Sequence, residues 1–166
     1  MIIEPLVQFP HSLPRHILKF RTAIRKGSRY LMMIREQIIT LTRNGVVSVV
    51  DDDESMCRML SRGIQAAGFD VVVFNSAEEF LDSGGVADSH CLVLDVDLPG
   101  MNGIELQKHL NDSGTGISII FMSGYADERL KTRALEAGAA GFFSKPLSIS
   151  SLLATIKTIQ QQLNPI

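Results

Sequence analysis

From Gly45 onward, short apolar runs alternate with longer amphipathic segments, and this alternation restricts the fold more than any other feature of the chain. The runs are Val46–Val50, Val71–Phe74, Cys91–Leu94, Ile117–Met122 and Ala140–Phe143. Most are β-branched or aromatic, as strands buried on both faces are. Between them apolar residues return at helical spacing. Met56, Leu60, Ile64 and Ala67 form one stripe that stops at Gly68; Ile104, Leu106 and Leu110 form another. Leu130, Ala134 and Ala137 run up to Gly138, and Leu152, Leu153, Ile156, Ile159 and Leu163 make the last. Ser76 with Glu79 three residues on predicts a capping box at the start of the remaining helix. Five such β-α units predict an α/β fold: a parallel sheet with helices on both faces, where right-handed crossovers place them.

In such sheets ligands bind beyond the carboxyl ends of the strands. The residues that follow the runs there are Asp51-Asp52-Asp53-Glu54, Asp95, Ser123-Gly124 and Lys145-Pro146. Carboxylates of Asp51, Asp52 and Asp95 crowded at one edge would repel by roughly 1–4 kcal/mol per pair at about 4 Å. Such a cluster takes up protons or holds a cation. An all-oxygen ligand set favours a hard ion, and magnesium held by one or two carboxylates keeps room for a phosphoryl oxygen. Asp53 and Glu54 instead fit the acidic first turn of a helix. Asp95, with the Ser123 hydroxyl and the Lys145 ammonium expected nearby, is placed to attack phosphorus and form an aspartyl phosphate.

Val49-Val50-Asp51-Asp52-Asp53-Glu54, Leu94-Asp95-Val96-Asp97-Leu98-Pro99-Gly100-Met101-Asn102-Gly103, Met122-Ser123-Gly124 and Gly138-Ala139-Ala140-Gly141-Phe142-Phe143-Ser144-Lys145-Pro146 closely resemble the receiver domain of two-component response regulators. The resemblance runs from residue 45 to about 163, with every landmark in order. It implies a flavodoxin-like, doubly wound, five-stranded parallel sheet of order 2-1-3-4-5 with five helices over residues 45–166. It implies that Asp95 is the phosphoacceptor, that Asp51, Asp52 and Asp95 hold Mg2+ with the backbone carbonyl of Asp97, and that Lys145 pairs with the phosphoryl group. Ser123 matches the hydroxyl that swings toward the phosphoryl group, and Phe142 the aromatic position whose rotamer reports the switch. Asp97 and Tyr125 occupy positions that tune hydrolysis, and Pro146 follows a bond that is usually cis. The implied donor is a histidine kinase or a histidine phosphotransfer protein, and the implied output is an unidentified downstream protein. The implied chemistry is self-catalysed phosphorylation and dephosphorylation only, not enzymatic turnover of other substrates.

The formal net charge of −2 averages two unlike parts. Residues 1–44 hold 8 Lys and Arg against 2 acidic residues, which leaves 8 of the 16 basic and 16 of the 18 acidic residues to the remainder. The family says nothing of this basic extension. Pro5, Pro10 and Pro14 predict an extended stretch over 1–15. Ile17, Phe20, Ile24, Leu31, Ile34, Ile38 and Leu41 predict an amphipathic helix within 16–42, able to dimerise, to pack on the receiver or to touch an acidic partner. A start at Met32 or Met33 is the third option. No helix-turn-helix signature accompanies the charge, so nucleic acid is not an expected partner. Ile166 follows closely on the last helical stripe, so a stand-alone receiver is expected, with output through another protein or through the extension.

Cys57 and Cys91 do not form a disulfide framework, and neither they nor His11, His16, His90 and His109 have metal-ligand spacing. With no apolar run long enough to cross a membrane, a cytoplasmic protein without membrane insertion is expected. Two alternatives remain. A phosphate sink without output would use the same residues. Leu92-Val93-Leu94-Asp95-Val96-Asp97 also resembles the opening of haloacid-dehalogenase-type phosphatases, which need a further acidic pair after their lysine; residues 146–166 contain no Asp or Glu.

Overall fold

The computed structural model describes residues 45–125 and 127–163. The basic extension and its predicted helix therefore lie outside the described residues. The elements are β1 Val46–Val50, α1 Glu54–Ala66, β2 Asp70–Phe74, α2 Ala77–Asp82, α3 Gly85–Asp88 and β3 Ser89–Asp95. They continue with α4 Gly103–Asp112, β4 Ser118–Ser123, α5 Glu128–Glu136, β5 Gly141–Ser144 and α6 Ile149–Leu163. The five strands form one sheet of order β2-β1-β3-β4-β5, and every pairing is parallel. This is the predicted doubly wound topology.

Among the described residues the helix count differs from the expected five by α3, a single turn of four residues. A segment that short carries no periodicity in the sequence.

Alternation along the strands divides the core between the two faces of the sheet. Val47, Val49, Cys91, Val93, Ile120 and Met122 pack with Leu60 and Ile64 of α1 and with Leu152 and Ile156 of α6. The intervening Val50, Leu92, Leu94, Ile119 and Phe121 pack with Phe80 of α2, Leu106 and Leu110 of α4 and Ala134 of α5. Each of these larger side chains contributes about 1.5–3 kcal/mol on burial. Strands apolar on both faces have nowhere to go but between two helical layers.

The helix starts follow from short polar side chains. Asp53 caps α1 by accepting the amides of Ser55 and Met56. Ser76 caps α2 by accepting the Glu79 amide, but the Glu79 carboxylate reaches Asn75 N at 2.7 Å rather than the Ser76 amide, so the predicted box is displaced by one residue. The full reciprocal box stands at α4, where Asn102 and Glu105 each accept the other's backbone amide at 3.0 Å.

Candidate functional site

The register fixes which side chains share the carboxyl edge. Val50 pairs with Leu94, Asp95 with Met122 and Ser123 with Ser144, so Asp51, Asp95, Ser123 and Lys145 all emerge at the same end of the sheet. Two backbone bonds hold the loops after β5 and β3 in place: Lys145 N donates to Ser123 O at 2.7 Å, and Val96 N to Met122 O at 2.9 Å. The Lys145–Pro146 bond is cis.

Asp51, Asp52 and Asp95 each offer a carboxylate oxygen within 4.8 Å of the others, a set that could hold a metal ion. Asp51 is wholly buried and Asp95 nearly so, whereas Asp52 is exposed. Asp51 Oδ1 accepts the Asp53 amide at 2.9 Å, while its Oδ2 and Asp95 Oδ2 take the Lys145 ammonium at 2.8 Å and 2.7 Å. Asp95 Oδ1 accepts the Asp97 amide at 3.2 Å. Burial raises the Asp51 pKa, and the hydrogen bond from Lys145 only partly opposes this. Burial also acts against the Lys145 charge, but its bonds to the two carboxylates outweigh it and raise its pKa. A single ammonium thus offsets two buried carboxylates, with Asp52 beside them. Net negative charge in an all-oxygen cluster open on one side suits a hard divalent cation.

Ser123 departs from the simple expectation. Its Oγ lies 3.1 Å from Tyr125 O and 3.4 Å from Asp97 Oδ2, and it accepts the Tyr125 amide at 3.1 Å. Its hydroxyl therefore engages Tyr125 and Asp97 rather than Asp95. The Tyr125 side chain is itself exposed, at 75% of its full surface. Phe142 is half-buried, its ring 6.1 Å from that of Phe121, while Phe143 packs on the opposite face of the sheet.

Three features of this edge went unread in the sequence. A Cβ on Gly103 would overlap the carbonyl oxygen of Asp95, so only glycine lets α4 start this close to the site. Glu78 accepts the Met101 amide at 2.8 Å, which ties the start of α2 to the loop after β3 and lowers the Glu78 pKa. The Asp97–Ser123 contact links the same loop to β4. Asn102 followed three residues on by Glu105 was a legible signal for the cap at α4; the loop contacts had none, because each joins residues far apart in the chain.

A family model described as the response regulator receiver domain matches residues 47–157. The response regulator protein TmoT of Ectopseudomonas mendocina is 39% identical over 70% of this chain and 53% of its own length. The transcriptional regulatory protein FixJ of Azorhizobium caulinodans is 37% identical over 67% of this chain and 53% of its own. The crystal structure of full-length FixJ from B. japonicum superposes with a TM-score of 0.68 at 36% identity, over 75% of this chain and 61% of that one. The chain spans about half the length of the curated relatives it matches. These findings support the receiver reading over the phosphatase alternative. The names of some relatives, transcriptional regulatory proteins, do not match the expectation that nucleic acid is not a partner. Among the described residues no helix is long and apolar enough to cross a membrane.

Proposed function

The chain belongs to the response regulator receiver family, and we propose that Asp95 is its phosphoacceptor, charged by a histidine kinase or a histidine phosphotransfer protein. The observation that carries this reading is the Lys145 ammonium held between Asp51 and Asp95 beside the exposed Asp52 carboxylate. An Asp95 oxygen forms the new O–P bond as the P–N bond of the donor's phosphohistidine breaks. The electron pair of that bond stays on the imidazole nitrogen. Lys145 neutralises charge on the phosphoryl oxygens, and Ser123 donates to one of them after leaving Tyr125 and Asp97. Asp51, Asp52, Asp95 and the Asp97 carbonyl would hold Mg2+, which supplies charge neutralisation at the transferring group. The Phe142 ring shares the Phe121 contact on the face that includes α5 and would follow the movement of Ser123.

On this reading the domain catalyses only its own phosphorylation and dephosphorylation, and its output is altered binding of a downstream protein. Asp97 and Tyr125 flank the path of the hydrolytic water. A cytoplasmic site of action fits the two cysteines, which are free and buried.

The test is intact-mass measurement after incubation with acetyl phosphate and Mg2+. The expected result is one added phosphoryl group, lost in Asp95→Asn and lost on chelation. Labelling that persists in Asp95→Asn would overturn the assignment.

A further inference from the structure

Asp97 contacts both the phosphoacceptor and the hydroxyl on the next strand. Its backbone amide donates to Asp95 Oδ1 at 3.2 Å, and its carboxylate Oδ2 lies 3.4 Å from Ser123 Oγ. Ser123 is fully buried, whereas Asp97 is exposed. An exposed loop carboxylate has no need of a buried hydroxyl, so the contact concerns Ser123 more than the solvation of Asp97. The hydroxyl has one proton and two acceptors, Tyr125 O at 3.1 Å and the Asp97 carboxylate. Its lone pairs meanwhile receive the Tyr125 amide. An ionised acceptor strengthens such a bond relative to a neutral one. Together these partners occupy the hydroxyl's proton and lone pairs, and none of them is Asp95.

We propose that Asp97 is a positioning residue whose carboxylate retains the Ser123 hydroxyl in the resting loop, and which yields it when phosphoryl oxygens arrive at Asp95 as competing acceptors. This rests on the phosphoacceptor reading. Phosphorylation replaces the single charge of Asp95 with about two on the phosphoryl group. That group lies two residues from Asp97, on the residue its own amide touches. With Lys145 and the bound cation offsetting that charge, the phosphoryl oxygens compete with the Asp97 carboxylate, 3.4 Å away, for the one Ser123 proton and offer it a stronger acceptor. Asp97 thereby sets how far the resting domain leans toward its active form.

The test follows the backbone amides of Gly124 and Tyr125 by 15N NMR in the full chain, at rest and saturated with Mg2+ and beryllofluoride as phosphoryl analogue. For each amide the two parental states define a line. In Asp97→Ala the resting signals should move along that line toward the saturated end, corresponding to a several-fold shift of the resting equilibrium. Asp97→Asn, which keeps the shape but removes the charge, should move in the same direction by less. Resting signals that coincide with the parent's, or that leave the line, would overturn the role of Asp97 while leaving Asp95 as acceptor. A parent that neither responds to the analogue nor takes label from acetyl phosphate would instead remove the phosphoacceptor reading, and this inference with it.

Discussion

The Nζ of Lys145 lies 2.7 Å from Oδ2 of Asp95, a contact between residues 50 positions apart that only the parallel register of β3, β4 and β5 brings together. The same ammonium bonds the wholly buried carboxylate of Asp51 at 2.8 Å. Removing one member of a buried pair leaves the other uncompensated, which typically costs about 3–5 kcal/mol. Lys145→Met should therefore lower unfolding stability in urea by about 3 kcal/mol when Mg2+ is chelated. A loss below about 0.5 kcal/mol would show that water, not lysine, compensates the two carboxylates.

The pH dependence of that deficit has a defined sign. Burial raises the Asp51 pKa from 3.8, with the Lys145 bond opposing, so removing the lysine raises it further. A carboxylate with a raised folded pKa favours folding at low pH and loses that contribution as pH rises. The deficit of Lys145→Met should thus grow as pH climbs above about 3.8. The Lys145 pKa is raised above 10.5 despite burial, because its bonds to Asp51 and Asp95 prevail. Its contribution is complete below 10.5 and fades as pH passes the folded value, so the deficit should close again above 10.5. Urea midpoints of both proteins across this range check both limbs.

Magnesium should raise the urea midpoint of the parent. A ligand that binds only the folded state stabilises it by about 2.7 kcal/mol at a hundred times its Kd. Asp51→Asn, which removes a charged oxygen from the cluster, should abolish most of that increment. Equal Mg2+ increments in the two proteins would place the ion elsewhere.

Gly103 and Gly124 should respond very differently to alanine. A Cβ at Gly103 meets the Asp95 carbonyl and Val96 backbone, which cannot rotate away, whereas a Cβ at Gly124 meets nothing within 4 Å and Gly124 has no positive φ. Gly103→Ala should cost about 1–3 kcal/mol through overpacking and slow the labelling of Asp95 by displacing the start of α4. Gly124→Ala should stay within about 0.5 kcal/mol of the parent. Comparing melting curves and acetyl phosphate labelling rates of the two variants tests the close approach of α4 to the site.

What the sequence disclosed follows from the kind of signal each element carries. The strands of the sheet were legible because strands buried on both faces read as apolar runs, and Leu94 or Ile120 could be buried no other way. Their polar ends were not: β3 begins at Ser89, whose Oγ bonds Ser48 Oγ at 2.6 Å inside the sheet, and nothing local marks that. Asp51, Asp95 and Lys145 were legible as strand-end residues, but their mutual bonds depend on register. Gln107 shows the limit well. It sits on α4 with only 2% of its surface exposed and donates to Ala134 O at 3.1 Å, closing the end of α5. A lone glutamine in a helical stripe gives no hint of such a partner 27 residues away.

The two cysteines offer a last check on the core. Burial pushes the Cys57 thiol up to about 11, with the nearby Asp51 charge adding to it, and burial alone pushes Cys91 up to about 12. Cys57 also donates its S–H to Asp51 O at 3.2 Å, directly beneath the carboxylate cluster. The thiolate is the reactive form, so both residues should be inert to a disulfide reagent at pH 8 in the folded protein and react together on unfolding. Because the folded state retains both protons after the unfolded thiols ionise near 9.0, their contribution to stability is present below that pH and lost on rising toward 11 and 12. Stopped-flow thiol labelling against urea concentration reads both expectations. Fast labelling of Cys57 in the native protein, suppressed by Mg2+, would show that the loop after β1 opens when no ion is bound and that the Asp51–Lys145 pair alone does not close it.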